Sequence, residues 1–249
     1  MTHSPSPPET FHARLVESSS PTDRVRFMTF EREDGRPFHF RAGQWLNFHF
    51  PLKDQKGHPL KRAYSIASPP RATPRFELAI THVDAGPGSE YLHAMKPGDT
   101  LEARGPQGTF VRPLDAPAPA LFVATGTGLA PFRSMVHDAI AAGRREPLWV
   151  LFGVRTPRDI LWEAELRALE KSHPFFRLEV TLSRPPPEWS GRTGHVQEHV
   201  RALWGELSAL GPPPDAWICG VKKMLLEVRD IFRKELGLER ARVHTESYG

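Results

Sequence analysis

The stretch ATGTGLAP, residues 124–131, decides the fold class of this chain. It joins the apolar run ALFVATG at 120–126 to a stretch of helical spacing at about 131–143. Its two glycines allow a tight turn and a close approach of backbone to a ligand. Its proline suits the first turn of a helix, and the N–H groups and dipole of a helix start favour a diphosphate. Taken alone, the stretch fits a bare turn as well as a dinucleotide site, because proline stands where the usual fingerprint has a third glycine.

Around this turn, the second half of the chain alternates apolar runs with stretches of helical spacing. Strands are predicted at 120–126, 147–154, 178–183, 215–220 and 240–248, with helices at about 131–143, 160–172, 196–207 and 224–236. Fully apolar strands separated by helices predict a parallel sheet with helices on both faces.

The first half reads as short strands broken by turns. The runs at 24–31, 44–50 and 75–83 are rich in β-branched and aromatic residues, and Gly, Pro and Asp stand between them. This spacing predicts an antiparallel barrel or sandwich. The Pro- and Ala-rich stretch 112–120 predicts a domain boundary, and residues 1–10 are expected to form a flexible tail.

The composition excludes several classes of protein. Hydrophobic residues make up 39% and charged residues 25% of the 249, so a packed core is expected. A single cysteine, Cys219, excludes an intrachain disulfide and a multi-thiolate metal site. We expect no membrane span, no signal peptide and a cytoplasmic location. The formal net charge of +4 is scattered along the chain, so no nucleic-acid partner is expected.

A second chemical pattern lies in the first half, in RAYSIAS at 62–68. Arg62 can grip a phosphate with its planar fork. Tyr64 can lie against a flat aromatic ligand, and Ser65 can offer a hydroxyl to a ring nitrogen. On these residues alone, a strand with an exposed arginine and a core tyrosine is the better interpretation.

Several further motifs occur with these two in an ordered set. They are Gly88-Ser89 with Leu92, Gly105-Pro106-Gln107-Gly108 with Phe110, Phe152-Gly153-Val154-Arg155, and Cys219-Gly220 with Met224. With Arg62-Ala63-Tyr64-Ser65 and the 124–131 turn, the chain resembles the ferredoxin–NADP reductase superfamily over about residues 24–248. The resemblance implies a six-stranded antiparallel Greek-key β-barrel that binds FAD (11–114). A five-stranded parallel α/β domain that binds NAD(P) would follow (118–249).

The resemblance also implies a flavin site and a reacting centre. Tyr64 would pack on one flavin face, Ser65 would hydrogen-bond near the reactive nitrogen, and Tyr248 would cover the other face. The residues implied for FAD are Arg62, Ala63, Tyr64, Ser65, Thr81, Gly88, Ser89 and Tyr248; those implied for catalysis are Ser65, Cys219, Glu246 and Tyr248. The chain departs from the family's acidic-x-Tyr ending, because Gly249 follows the tyrosine.

For the nicotinamide coenzyme the resemblance implies a set of strand-end residues. They are Thr125, Gly126, Thr127, Gly128, Ala130, Pro131, Arg155, Ser183, Arg184, Cys219, Gly220 and Met224. Ser183 and Arg184, helped by Arg155, could bind a 2′-phosphate, which favours NADPH over NADH.

The implied function is an FAD-dependent NAD(P)H oxidoreductase that exchanges electrons with ferredoxin, flavodoxin or an oxygenase, as a monomer. One alternative is an NADH-dependent reductase for an oxygenase or for free flavin. Another is a flavin-binding regulatory subunit that is redox-idle. A zinc hydrolase is the most remote alternative. The stretch His195-Val196-Gln197-Glu198-His199 fits the pattern H-x-x-E-H, but the sequence shows no evident third ligand, so we expect no metal.

Overall fold

A computed structural model describes residues 7–113 and 118–248 of the chain. The described residues up to Arg112, together with Arg133–Asp138, form one compact unit, and the remaining residues form a second. Most of the expected tail, residues 1–6, and the middle of the expected boundary, 114–117, lie outside the described residues. The expected tail, residues 1–10, extends too far toward the C-terminus, because the first strand already begins at Glu9.

The first unit contains an antiparallel six-stranded sheet in the order β4-β3-β6-β1-β2-β5. Its elements are β1 (Glu9–Ser19), β2 (Val25–Arg32), β3 (Trp45–Lys53), β4 (Pro59–Ser65), β5 (Arg75–Thr81), α1 (Pro87–Ala94) and β6 (Thr100–Gln107). An antiparallel bridge between Ile66 and Leu78 connects the end of β4 to β5, the two outermost strands. The sheet therefore curls on itself, as the predicted barrel requires.

Phenylalanines fill the interior of this sheet. Phe30, Phe48 and Phe76 are fully buried. The ring of Phe30 stacks on Phe76 with centroids 5.8 Å apart and lies 5.0 Å from Phe48. Burial of each such side chain stabilises the fold by about 1.5–3 kcal/mol. The alternation of buried and partly exposed residues in β2 and β3 thus directs one face of each strand to a common core.

The second unit contains a parallel six-stranded sheet in the order β10-β9-β8-β7-β11-β12. Its strands are β7 (Ala120–Thr125), β8 (Leu148–Val154), β9 (Phe176–Leu182), β10 (Arg192–Thr193), β11 (Asp215–Val221) and β12 (Val243–Tyr248). The helices are α2 (Ala130–Ala141), α3 (Glu163–Ser172), α4 (Val200–Ser208) and α5 (Lys222–Asp230). Among the described residues, no helix combines the length and the hydropathy that crossing a bilayer requires.

The expected count of five parallel strands is wrong by one. The additional strand, β10, has two residues that pair with Thr181 and Leu182 of β9. A two-residue strand is too short to show a periodicity in the sequence. β12 also begins later than expected, because residues 240–242 form a short 3-10 turn.

The strand order places a switch point beside β7. β8 follows β7 on one side of the sheet, and β11 pairs with β7 on the other. In open parallel sheets, ligands bind outside the carboxyl ends of the strands at such a reversal. β7 leads into Gly126, and Gly220 is the penultimate residue of β11, so the second unit presents its glycine turn at the carboxyl ends of these strands.

Candidate active site

The glycine turn lies against the end of β11. Residues Gly126–Leu129 form a single 3-10 turn between β7 and α2, and Gly126 has φ +54° with open space beside its Cα. A Cβ on Gly128 would lie 2.4 Å from the carbonyl oxygen of Cys219. The backbone of the turn therefore packs on the Cys219 peptide, and only glycine fits at position 128.

Thr125, at the end of β7, carries a hydroxyl that lacks a partner. Its Oγ1 is buried and has no hydrogen bond among the described residues. A Cβ on Gly220 would lie 2.3 Å from this oxygen and 2.8 Å from Cε of Met224. Because buried polar atoms are nearly always hydrogen-bonded in proteins, the hydroxyl fits a site that is completed by a polar group of a ligand.

Cys219 is fully buried beside β12. Its backbone is in register with Glu246. Burial raises the pKa of the Cys219 thiol, the charge of Glu246 raises it further, and a hydrogen bond with Tyr248 acts in the opposite direction. The thiol therefore stays protonated at neutral pH, which excludes a role as a thiolate nucleophile.

Glu246 and Tyr248 lie in the last strand of the sheet. Both residues are half-buried, and Tyr248 is in register with Val221 at the carboxyl end of β11. The structure thus brings together Cys219, Glu246 and Tyr248, three of the four residues that the resemblance implies for catalysis. Gly249, the expected departure from the family ending, lies outside the described residues.

Two arginines lie at neighbouring strand ends on the other side of β7. The amide of Ser183 donates to the carbonyl of Val154 at 3.0 Å, and the amide of Arg184 donates to that of Arg155 at 2.8 Å. Both arginines are exposed, and neither forms an ion pair within the part of the chain that the structure describes. Arg155 and Arg184 thus stand side by side at the ends of neighbouring strands, and neither guanidinium has an ion-pair partner among the described residues. Two such groups suit a phosphate.

In the first unit, β4 ends with the flavin motif. Tyr64 is half-buried and packs on the aromatic core, with its ring centroid 5.9 Å from that of Phe48. Burial raises the pKa of its hydroxyl, and the charge of Arg62 partly opposes this. Ser65 is buried opposite Trp45. Tyr64 therefore keeps a neutral hydroxyl at the edge of the core.

Arg62 is close to the start of α1. Its side chain is exposed and donates to the carbonyl of Lys61 at 2.8 Å. A Cβ on Gly88 would lie 3.1 Å from Cγ of Arg62, so the two motifs adjoin. The N-cap residue, Gly86, has no side chain with which to cap the helix. A bare helix start beside an arginine fits a diphosphate.

Ser89 has an internal role as well. Its hydroxyl oxygen accepts from the amide of Val83 at 3.0 Å and lies 2.9 Å from the carbonyl of Gly86. This contact closes the loop between β5, which ends at Thr81, and α1. The hydroxyl of Ser89 therefore fixes the backbone on both sides of Gly88.

Two buried polar residues of the first unit were missed by sequence reasoning. Arg133 and Ser134 follow the glycine turn on α2 and are 9% and 0% exposed. The signal was present, because a charged side chain stands in the apolar run APFRSMV at 130–136.

The histidines of the H-x-x-E-H stretch have structural partners. Glu198 accepts a hydrogen bond from the amide of His195 at 2.6 Å. The ring of His199 lies 2.8 Å from the carbonyl of Thr193 and 3.1 Å from Oγ1 of Thr181. Within the described ranges, no group of three or more His, Cys, Asp or Glu side chains has the arrangement of a metal site.

Two domain families match this chain. The oxidoreductase FAD-binding domain family matches residues 12–111, and the oxidoreductase NAD-binding domain family matches residues 122–230. The chain is 50% identical over 242 residues to ferredoxin–NADP reductase B of Sorangium cellulosum, covering 96% of this chain and 98% of that protein. It is 29% identical to the phenol hydroxylase P5 protein of Acinetobacter pittii, spanning 66% of that protein.

Solved structures agree with the fold. The cytochrome P450 reductase of Amycolatopsis superposes with a TM-score of 0.84 at 25% identity, covering 97% of this chain and 70% of that one. A ferredoxin NADP+ reductase from Neisseria gonorrhoeae, solved with bound FAD and NADP, gives a TM-score of 0.80 at 21% identity, covering 96% and 98%. From the two matched domains and the full-length relative, the chain belongs to the ferredoxin–NADP reductase superfamily of FAD- and NAD(P)-binding oxidoreductases.

Proposed function

We propose that this enzyme takes electrons from NADPH and passes them to ferredoxin or flavodoxin through bound FAD. One observation carries the proposal: the full-length relative with half of its residues identical is a ferredoxin–NADP reductase. FAD supplies the redox chemistry, since it accepts hydride from a nicotinamide and releases electrons singly. The protein's own side chains would bind the two cofactors, orient their reacting rings and shield the reacting centre from water.

The flavin assignment rests on the motif at the end of β4 and the start of α1. We assign Arg62 and the bare helix start at Gly88 and Ser89 to the diphosphate, because both offer donors to an anion. Tyr64, Ala63, Ser65 and Thr81 are assigned to the ring and its surroundings. The adjoining positions of Arg62 and Gly88 support this grouping.

The nicotinamide assignment rests on the carboxyl ends of β7 and β11. The Oγ1 of Thr125 would donate to or accept from a polar group of the coenzyme. Cys219, protonated and buried, would position the reacting ring without attacking it. Glu246 and Tyr248 would shield the centre from water, and Tyr248 would cover the second flavin face. Thr127, with Thr125, would orient the nicotinamide, and the glycine turn with Ala130 and Pro131 would hold the diphosphate.

The coenzyme preference follows from the arginine pair. An adenosine 2′-phosphate carries charge that NADH lacks, and Arg155, Ser183 and Arg184 offer donors from neighbouring positions. Steady-state turnover of a small electron acceptor should show a kcat/KM for NADPH that exceeds the value for NADH by about tenfold or more. This is the ratio expected when one additional charge-assisted hydrogen bond holds NADPH. Equal values would remove NADPH from the proposal.

The acceptor is tested separately. Purified FAD-loaded enzyme and NADPH are mixed with ferredoxin, with flavodoxin, with free flavin, with an oxygenase component, or with no acceptor, and reduction of the acceptor is followed. We expect NADPH-dependent reduction of at least one carrier. If only free flavin or an oxygenase component is reduced, the reductase of the phenol hydroxylase type is the correct assignment, consistent with the P5 relative.

We also propose domain limits, a location and an assembly state for this chain. We place the FAD-binding domain at 11–114 and the NAD(P)-binding domain at 118–249. A chain with a single cysteine fits a reducing cytoplasm. A monomeric state is tested by light scattering, where a mass near twice the 28.1 kDa of one chain would contradict it.

A further inference from the structure

The segment that follows the flavin motif is held from both sides. The amide of Ile66 donates to the carbonyl of Gln44 at 3.0 Å, and the amide of Ala67 donates to that of Glu77 at 2.8 Å. The hydroxyl of Ser68 accepts from the amide of Glu77 at 3.1 Å. These contacts leave the carbonyl oxygens of Ala67 and Ser68 to be satisfied by other groups.

Two side chains of α2 satisfy those carbonyls. Nη1 of Arg133 donates to the oxygen of Ala67 at 2.9 Å and to the carboxylate of Glu77 at 2.7 Å. The hydroxyl of Ser134 donates to the oxygen of Ser68 at 2.7 Å. Both side chains belong to the same compact unit as the flavin motif.

This arrangement is costly to build for packing alone. A guanidinium with 10% of its side chain exposed loses most of its hydration, and the ion pair with Glu77 offsets that loss only in a fixed geometry. An apolar side chain of similar volume would pack there without this cost. The guanidinium of Arg133 instead fixes the position of the backbone directly after Tyr64 and Ser65.

We propose that Arg133 and Ser134 are positioning residues for the flavin-binding segment. They hold residues 66–68, and through the continuous backbone they set the placement of Tyr64 and Ser65. The inference rests on the proposed assignment of those two residues to FAD. Neither Arg133 nor Ser134 is assigned to contact with a cofactor or substrate.

The test compares Arg133→Gln with Arg32→Gln. Arg32 is another buried, ion-paired arginine of the same unit, and its partners Glu9 and Asp34 lie outside residues 62–68. For each variant and the wild type we would measure the FAD dissociation constant, the visible circular dichroism of the bound flavin, and the Tm of the apoprotein. Arg133→Lys serves as the conservative variant, because an ammonium keeps the charge and loses the fork.

We expect both glutamine variants to lower the Tm, and only Arg133→Gln to alter the flavin. Its FAD dissociation constant should rise about tenfold, as expected for the loss of one well-formed hydrogen bond to a constrained backbone, with a changed dichroism spectrum that Arg133→Lys partly restores. If Arg133→Gln and Arg32→Gln lower the Tm alike and bind FAD as the wild type does, the inference is overturned.

Ser134→Ala covers the case in which Arg133→Gln does not fold. It removes one hydroxyl and leaves the ion pair, so it should fold and weaken FAD binding several-fold. Unchanged binding in that variant overturns the inference. If the wild type itself binds no FAD, the proposed function fails first, so the two failures are distinguishable.

Discussion

The amide of Arg184 donates to the carbonyl of Arg155 at 2.8 Å, so two exposed guanidinium groups project from adjacent strand ends. β8 and β9 are parallel and in register up to Val154 and Leu182, which delivers both residues to the same edge of the sheet. That edge is the one at which parallel sheets bind nucleotides.

Replacing Arg184 by alanine should therefore separate the two coenzymes. We expect Arg184→Ala to raise the KM for NADPH about 10- to 100-fold, since it removes one charge-assisted hydrogen bond to a phosphate, and to change the KM for NADH little. Arg240→Ala is the matched control, because this exposed arginine precedes β12 at the opposite end of the parallel sheet. Equal effects of Arg184→Ala on both coenzymes would rule out the 2′-phosphate assignment.

Arg62 gives a similar prediction for the flavin. Arg62→Ala should raise the FAD dissociation constant about 10- to 100-fold through loss of a charged donor to the diphosphate. Lys61→Ala, next to it on the same exposed strand, should leave binding near the wild-type value. Equilibrium titration of apoprotein with FAD measures both. Comparable losses in the two variants would show that general surface charge, and not a placed donor, attracts the cofactor.

The contact of Gly128 with Cys219 predicts a large structural effect. Gly128→Ala should destabilise the protein by about 1–3 kcal/mol, because its Cβ would overlap a backbone oxygen that cannot rotate away. Gly205→Ala should stabilise it by about 0.5–1 kcal/mol, since Gly205 lies in helix α4 with open space around its Cα. Urea unfolding measures both. A neutral Gly128→Ala would mean that the turn does not pack against β11 as described.

Asp34 predicts how stability depends on pH. Its side chain accepts hydrogen bonds from Arg32 and Arg36, and the bond from Arg32 contributes most to holding the pKa of Asp34 far below its ordinary value. A depressed folded-state pKa adds stability above the unfolded pKa of about 3.9 and loses it as the pH falls below that value.

Asp34→Asn should accordingly lower the free energy of unfolding by about 1 kcal/mol at pH 7, a value reduced by the partial exposure of the carboxylate. The difference from wild type should stay constant between pH 8 and pH 5, roughly one unit above the unfolded pKa, and shrink in more acidic solution. Denaturant titrations across this range measure it. A difference that grows with acidity has the wrong sign for this account.

Cys219 predicts a chemical behaviour. Burial, reinforced by the charge of Glu246, raises the pKa of its thiol. Alkylation by iodoacetamide should thus be slow in the native protein and should not accelerate between pH 7 and pH 9, whereas an ordinary thiol titrates at about 8.5. Denatured protein supplies the control, with rapid labelling. Native labelling that follows the ordinary thiol titration would contradict the buried, protonated state.

Much of the fold follows from local patterns in the sequence. The apolar runs that become β7, β8 and β11 are nearly continuous because both faces of a parallel strand are covered. The family prediction is confirmed by the matched domains and the full-length relative. β10 could not be predicted, since two residues show no period, and β1 went unrecognised as a strand although it pairs with both β2 and β6.

The site shows a sharper limit. Motif spacing finds the glycines of a tight turn, such as Gly126 and Gly128. It does not find Arg133, because its partners Ala67 and Glu77 are 66 and 56 residues away in the chain. Nor does it show that the buried hydroxyl of Thr125 has no hydrogen-bond partner among the described residues, since burial and hydrogen bonding of a side chain depend on segments distant in the sequence.

Anaerobic mixing of the FAD-loaded protein with one equivalent of NADPH tests the central claim most directly. The flavin absorbance in the visible range should bleach, and subsequent addition of a one-electron acceptor should restore it. Absorbance that persists with both NADPH and NADH, in protein that has bound FAD, would show a redox-idle flavoprotein and contradict the account.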